Sequence, residues 1–229
     1  MQFSARYEEI VDRVKDASRR SSRSHDEVEI MAVTKTQPAE CVEEAYAAGI
    51  RLFGENRVGD AVNKYRVRPP GARLHMIGHL QRNKASAAAG VFDQIESIDK
   101  IGTVDSLLRS QESDSRLSIL IEVNTSQDAS KFGVRDDESL RRLIQEISQR
   151  NNVAIFGLMT IAPLTESEVL VRGAFAALRE KMPILQNEFG HTEARTLSMG
   201  MSADFAWAIE EGSTRIRLGT ILFGDRIAA

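Results

Sequence analysis

The stretch TLSMGMSADFAWAIEEGSTRIRLGTILFG, residues 196–224, contains one complete copy of the pattern that decides the fold. Apolar runs over 196–200 and 215–224 predict two strands, and the segment 203–211 between them predicts a helix. A strand, a helix and a strand in this order are typical of a parallel sheet with a helical crossover. Arg217 lies inside the second apolar run, so its charge needs a partner, which is either another side chain or a ligand.

The same alternation extends through the rest of the sequence, after an amphipathic helix predicted over 3–22. Six further strands are predicted, over 28–35, 51–55, 73–78, 91–98, 117–124 and 153–161. Eight strands alternating with helices in about 200 residues favour a closed (β/α)8 barrel, a TIM barrel, over an open doubly wound sheet. The fold class is therefore α/β, and we expect residues 1–229 to form a single domain with an extra N-terminal helix.

The composition narrows the range of partners. The 30 Lys and Arg residues nearly balance the 33 Asp and Glu residues, which argues against a nucleic acid partner. A single cysteine excludes an internal disulfide framework. No apolar run approaches the length of a membrane span, and the charged N-terminus lacks the apolar segment of a signal peptide. We expect a cytoplasmic protein that has no membrane partner.

Lys35 ends the first predicted strand of the barrel, at the face where such barrels carry their chemistry. A partly desolvated lysine has a lowered pKa, and its neutral amine can form a Schiff base with an aldehyde. Alternatively, the side chain extends to the rim and pairs with Glu55. The residues alone leave both interpretations open.

Two glycine turns lie toward the ends of the last two predicted strands, at Gly200–Ser202 and at Gly219-Thr220. Such turns present free backbone N–H groups to an anion, and phosphate sites in these barrels commonly form after strands seven and eight. Ordinary turn chemistry accounts for either turn alone, but the two together favour a phosphate. His75 and His79 have no metal-ligand spacing, because the first lies in a strand and the second beyond Gly78, and we expect no metal site.

Six segments resemble, in this order, the motifs of the pyridoxal phosphate homeostasis proteins. They are AVTKTQP, FGENRVGD, HMIGHLQRNK, IEVNTSQDASKFG, GLMTIAP and LSMGMSADFAWAIEEGSTRIRLGTILFG, and the resemblance covers roughly residues 5–226. These proteins are similar to the N-terminal domain of alanine racemase, which implies a fold-type III barrel that binds pyridoxal 5′-phosphate (PLP). Many members have proline where this chain has His79, a departure that concerns only the local loop shape.

The resemblance also implies roles for individual residues. Lys35 would hold PLP as a Schiff base, and Arg217 would face the pyridine nitrogen. Two residues would line the ring pocket, Asn56 and Met159. The phosphate would be bound by residues of the two glycine turns and of the strand before the first turn, namely Ser198, Gly200, Met201, Ser202, Gly219 and Thr220.

The same resemblance argues against strong catalysis. Alanine racemases take one of their two bases, a tyrosine, from a second domain of a partner chain, and we expect no second domain after the last strand here. The three tyrosines of this chain fall in predicted helices. An arginine at the pyridine nitrogen keeps that nitrogen unprotonated, which weakens the ring as an electron sink.

We therefore expect a monomeric PLP-binding protein that carries or buffers the cofactor in PLP homeostasis and has no catalytic residues. Apo forms of PLP-dependent enzymes are its further expected partners. The first alternative is a weak PLP-dependent amino-acid racemase of fold type III. The second is a barrel that binds a different phosphorylated metabolite.

Overall fold

A computed structural model describes residues 2–111, 115–126, 128 and 130–224. Eight parallel strands form a closed barrel in which each strand pairs with the next, and the last pairs with the first. The strands are β1 (Glu29–Val33), β2 (Leu52–Glu55), β3 (Arg73–Met76), β4 (Gln94–Ile98), β5 (Leu117–Glu122), β6 (Val153–Met159), β7 (Thr196–Ser198) and β8 (Arg215–Leu218). The predicted (β/α)8 barrel is confirmed.

Helices follow the strands around the outside of the barrel. They are α1 (Gln2–Arg20), α2 (Glu40–Ala47), α3 (Val58–Lys64), α4 (Ala85–Ala89), α5 (Ile101–Leu108), α6 (Asp137–Ser148), α7 (Glu168–Arg179), α8 (Phe205–Glu210) and α9 (Thr220–Phe223). The predicted N-terminal helix precedes β1 and packs against α8 and α9. Among the described residues, none of the helices combines the length and the apolar character that crossing a bilayer requires.

Strand alternation divides the buried side chains between two sides of the sheet. Ile119 and Ile121 of β5 belong to the main core, which joins the strands to the surrounding helices. Met31, Val33 and Leu52 form a separate cluster on the other side of the sheet, inside the barrel. Residues that alternate in step with this inner cluster therefore point toward the barrel axis. Those at the carboxyl ends of the strands line the mouth of the barrel.

The last strand is shorter than the sequence predicts. The prediction of a strand over 215–224 is wrong beyond Leu218, because Gly219 has φ −118° and ψ −86° and turns the chain into α9. The amides of Leu222 and Phe223 then donate to the Gly219 carbonyl. Apolarity alone did not distinguish this single helical turn from a continued strand.

Gly157 lies where β6 bulges. Ile155 pairs with Ile119 and Gly157 with Leu120, so Phe156 is an extra residue in the strand. The φ of Gly157 is +154°, and an added Cβ would lie 1.9 Å from the Thr196 carbonyl oxygen. The close contact between β6 and β7 therefore requires a residue without a side chain.

We expect Gly157→Ala to lower the free energy of unfolding by about 3 kcal/mol or more, because β6 and β7 would have to separate. Urea denaturation followed by circular dichroism measures the change. Gly173→Ala is the matched control, since an added Cβ in α7 meets nothing within 4 Å. The control should gain up to about 1 kcal/mol from helix propensity. A wild-type denaturation midpoint for Gly157→Ala would contradict the prediction.

Candidate functional site at the barrel mouth

The predicted site residues lie at the carboxyl ends of five strands. Lys35 follows β1, Asn56 follows β2, Met159 ends β6, the segment 198–202 begins at the end of β7, and the segment 217–220 ends β8. These strands are consecutive around the closed barrel, in the order β6, β7, β8, β1, β2. Because all strands are parallel, their carboxyl ends open at one face. The structure thus places the predicted residues on one continuous arc of the mouth.

Arg217 is buried at the end of β8, with 4% of its surface exposed. Its Nη1 donates to the carbonyl of Ser198 at 2.7 Å and to the Ser198 Oγ at 2.8 Å, and its Nη2 donates to the Thr160 carbonyl at 2.7 Å. Burial lowers the pKa of the guanidinium, although the charges of Glu96 and Glu122 act in the opposite direction. Neutral oxygens at the ends of β6 and β7 therefore hold the guanidinium in place.

A buried polar network lies next to Arg217 inside the barrel. The Glu96 Oε1 accepts hydrogen bonds from His75 Nδ1 and Arg215 Nη1, both at 2.8 Å. Its Oε2 accepts from the Ser198 Oγ at 2.5 Å. Burial by itself would raise the pKa of Glu96, but Arg215 and the hydrogen bond from His75 outweigh it and lower the pKa to about 2. Glu96 is therefore an ionised carboxylate inside the barrel.

The first glycine turn requires its glycine. Gly200 has φ +95°, and an added Cβ would lie 2.5 Å from the Cβ of Ala208 in α8. The next amide, that of Met201, donates to the Asp204 Oδ1 at 2.6 Å. No oxygen of the described residues accepts from the amides of Ser202 and Ala203. The donors that this turn leaves for a ligand are therefore those of Ser202 and Ala203.

The second turn lies directly against the first. The Ile221 amide donates to the Ser202 Oγ at 3.4 Å, which joins the two turns. Thr220 is exposed, and Gly219 lies beside β1, where an added Cβ would make an ordinary contact of 3.4 Å with the Val33 carbonyl oxygen. Backbone amides and hydroxyl groups from two loops thus converge on one side of the mouth, as an anion site requires.

Lys35 is half-buried and continues the alternation of Met31 and Val33, whose side chains lie inside the barrel. The following residue, Thr36, has φ +63°, a strained conformation for a residue with a branched side chain. A turn therefore begins directly after the strand, at Lys35 and Thr36.

Glu55 is the carboxylate that the alternative interpretation paired with Lys35. Its Oε1 accepts from Lys64 Nζ at 2.6 Å and from Thr34 Oγ1 at 2.7 Å. The Tyr65 hydroxyl forms a hydrogen bond of 2.8 Å with the Thr34 Oγ1. Lys64, a lysine other than Lys35, therefore forms the ion pair with Glu55.

Asn56 and Met159 complete the arc. Asn56 is half-buried, and its backbone lies so close to the next loop that a Cβ added to Gly78 would be 2.4 Å from the Asn56 carbonyl oxygen. Met159 is fully buried and pairs in register with Ser198 on one side and with Glu122 on the other. Met159 therefore lies between Glu122 and Ser198 at the end of β6.

Glu122 ends β5 with 6% of its surface exposed. Burial, together with the nearby charge of Asp99, raises the pKa of Glu122 to about 7, and Arg217 only partly offsets this. Glu122 is therefore a carboxyl group at the mouth that takes up a proton near neutral pH. It was not predicted from the sequence.

Cavities flank the mouth on the side of β2, β3 and β5. One of about 480 Å³ is bordered by Asn56 and His79, and another of about 270 Å³ is bordered by Glu122. Phe132 borders both cavities and stacks on the His79 ring, with centroids 3.6 Å apart. The residue that departs from the common family pattern therefore contacts the loop after β5.

The inner network of His75, Glu96 and Arg215 was likewise not predicted from the sequence. A signal was present, because Gln94 and Glu96 alternate with apolar residues in β4, as do Arg215 and Arg217 in β8. Polar residues at alternate positions of an otherwise apolar strand indicate a polar barrel interior. Within the described residues, no group of three or more His, Cys, Asp or Glu is arranged to hold a metal ion.

Comparison with known proteins gives a consistent result. Residues 7–227 match the family described as alanine racemase, N-terminal domain. The pyridoxal phosphate homeostasis protein of Aquifex aeolicus is 37% identical over 223 residues, which cover 96% of this chain and 97% of the relative.

Two solved structures extend the comparison. PipY of Synechococcus elongatus, solved with PLP bound, is 38% identical, with a TM-score of 0.80 over 94% of this chain and 100% of PipY. The alanine racemase of Bacillus anthracis has a TM-score of 0.72 at 17% identity, and the match covers 96% of this chain but 56% of the racemase. At that identity the racemase shows a shared barrel fold alone.

Proposed function

This chain belongs to the pyridoxal phosphate homeostasis protein family, and we propose that it binds PLP at the barrel mouth and carries or buffers the cofactor. The observation that carries the proposal is the arc of Lys35, Arg217 and two adjoining amide turns on consecutive strands. A relative of known structure, PipY, has PLP bound. The recipients that we propose are apo forms of PLP-dependent enzymes, and the proposed carrier is a cytoplasmic monomer.

The described residues fit PLP. Its phosphate needs several N–H and O–H donors, and the turns offer the amides of Ser202 and Ala203 together with the exposed Thr220. Glycine at position 200 keeps that turn open, since a Cβ there would collide with Ala208. Ser198 differs from the other predicted phosphate ligands, because its hydroxyl already bonds Glu96 and Arg217. Its phosphate role stays a prediction.

When bound, PLP supplies an aldehyde that reacts with amines and a pyridine ring that accepts electrons. Lys35 contributes the amine for covalent attachment. Arg217 contributes N–H groups, and because a guanidinium is a donor without acceptor capacity, it favours an unprotonated ring nitrogen. The turns orient the cofactor through its phosphate. These groups bind and orient PLP, and they lower the capacity of the ring to stabilise negative charge.

The positions of the tyrosines support a carrier over a racemase. Tyr7 and Tyr46 lie in α1 and α2 outside the barrel. Tyr65 caps α3, where its hydroxyl bonds Thr34, and burial raises its pKa. A catalytic base must reach the proton that it removes. Glu122, whose pKa is raised to about 7, is the carboxyl group to test first if exchange is seen.

A titration of purified protein with PLP, followed by absorbance and mass spectrometry after borohydride reduction, tests the proposal. We expect saturable uptake of one PLP and its attachment to a peptide containing Lys35. Incubation of the loaded protein with single L-amino acids in deuterated water then separates carrier from racemase. We expect no protein-dependent exchange at Cα, and rapid exchange would overturn the non-enzyme assignment. Failure to take up PLP would overturn the carrier proposal.

A further inference from the structure

The hydrogen bonds around Ser198 define a fixed chain of donors and acceptors. Arg217 Nη1 donates to the Ser198 Oγ at 2.8 Å, and the same Oγ lies 2.5 Å from the Glu96 Oε2. A guanidinium can only donate, so the serine oxygen accepts from Arg217 and its single proton goes to Glu96. Ser198 is fully buried, so no water competes for either bond.

Glu96 is itself held in one orientation. Its other oxygen, Oε1, accepts from His75 Nδ1 and Arg215 Nη1, both at 2.8 Å. Arg215 is fixed in turn by an ion pair with Glu29 at 2.8 Å. The carboxylate thus has charged or polar contacts on both oxygens and little freedom to rotate. The hydrogen bond that this carboxylate accepts therefore fixes the direction of the Ser198 hydroxyl.

Arg217 also bonds the backbone at two points. Its other acceptors among the described residues are the carbonyls of Ser198 and Thr160, which anchor the ends of the guanidinium to the backbone. The serine hydroxyl adds a contact whose direction depends on a side chain. Arginine forms specific hydrogen bonds through a rigid planar fork, so a small rotation moves every other N–H group of the fork.

We propose that Glu96 and Ser198 are positioning residues that orient the Arg217 guanidinium toward the ligand, and that Ser198 serves Arg217 and not the phosphate. The inference rests on the proposed function. In this inference Ser198 and Ser202 have different roles. The Ser202 amide has no acceptor among the described residues and is available to the phosphate. The positioning residues act on the ring nitrogen through Arg217 and leave the phosphate turns unchanged.

The test compares Ser198→Ala with a matched control, Ser213→Ala. Ser213 is also fully buried, and its hydroxyl lies within hydrogen-bond distance of the carbonyls of Leu197, Met199 and Arg215. The hydrogen bonds of the Arg217 side chain go to Ser198 and Thr160. Each variant is loaded with PLP labelled with 15N in the pyridine ring. The 15N resonance and the absorbance maximum of the bound ligand are then recorded.

We expect Ser198→Ala to shift the pyridine 15N resonance away from its wild-type position, while Ser213→Ala loses thermal stability but keeps the wild-type resonance. Glu96→Gln, which keeps the size of the side chain and removes its charge, should shift the resonance as well. The PLP-to-pyridoxal affinity ratio of Ser198→Ala should stay within about twofold of wild type, because the phosphate turns are intact.

An unshifted resonance in Ser198→Ala would overturn the inference, as would an equal shift in Ser213→Ala. A selective loss of affinity for PLP relative to pyridoxal in Ser198→Ala would also overturn it, because it would make Ser198 a phosphate ligand. These outcomes are distinct from a failure of the proposed function, in which the wild-type protein would take up no PLP.

Discussion

Lys35→Ala is expected to abolish covalent capture of PLP. Lys35 is the lysine that follows β1 in phase with the inner side chains Met31 and Val33, so its amine reaches the mouth from a fixed strand. A fixed amine reacts with a bound aldehyde at a high effective concentration, which free amines in solution do not match. We expect borohydride reduction to attach PLP to wild-type protein and to leave Lys35→Ala unmodified. The PLP affinity of the variant should fall by about 100-fold, or about 2.7 kcal/mol.

Two controls separate this effect from general lysine chemistry. Lys35→Arg keeps the positive charge but removes the nucleophile, so it should also resist capture. Lys100→Ala removes an exposed lysine beside α5, whose side chain is 62% exposed, and should behave as wild type. Peptide mapping after reduction identifies the modified lysine. Equal PLP incorporation into Lys35→Ala and wild type would show that another lysine carries the cofactor.

The same variant measures how much binding remains in the turns. Lys35→Ala keeps the amides of Ser202 and Ala203 and the hydroxyl of Thr220, so equilibrium dialysis should still detect phosphate-dependent binding of PLP. Inorganic phosphate should compete with it. Complete loss of binding would mean that the turns contribute less than their geometry indicates.

The sequence predicted the barrel because hydrophobic periodicity repeats locally, strand by strand and helix by helix. It also predicted the site arc, since the strands bring their carboxyl ends to one face whatever their exact limits are. The error at the end of β8 arose because Thr220–Phe223 is apolar and too short for a helical period. A four-residue turn gives no pattern that separates it from a strand.

The side-chain hydrogen bonds inside the barrel could not be predicted from the sequence. Glu96 and Ser198 are 102 positions apart, and only closure of the barrel brings them within 2.5 Å. Lys35 presented the same difficulty, because the sequence offered Glu55 as a partner for it, whereas the structure places Lys64 against that carboxylate. Side-chain pairing across strands depends on register and on which face each residue occupies. The sequence predicts those features only approximately.

Gly200→Ala is expected to weaken binding of PLP while leaving binding of pyridoxal unchanged. The φ of Gly200 is +95°, and an added Cβ would lie 2.5 Å from the Ala208 Cβ and 3.1 Å from the Phe205 Cα. The turn must therefore shift, and the amides of Ser202 and Ala203 shift with it. Hydrogen bonds to a charged group contribute about 1.5–3 kcal/mol each, so loss of one lowers PLP affinity by roughly 10- to 100-fold.

The ratio of PLP affinity to pyridoxal affinity is the decisive measurement for Gly200→Ala, because general destabilisation lowers both values together. Pyridoxal has the aldehyde and the ring but no phosphate. Its affinity therefore depends on Lys35 and Arg217 and not on the turns. Adding Ala208→Gly removes the nearest collision and should restore part of the ratio. Gly173→Ala, with open space around it in α7, should leave the ratio at its wild-type value. If Gly200→Ala weakens both ligands equally, the first turn supports the barrel mouth as a whole and does not bind the phosphate.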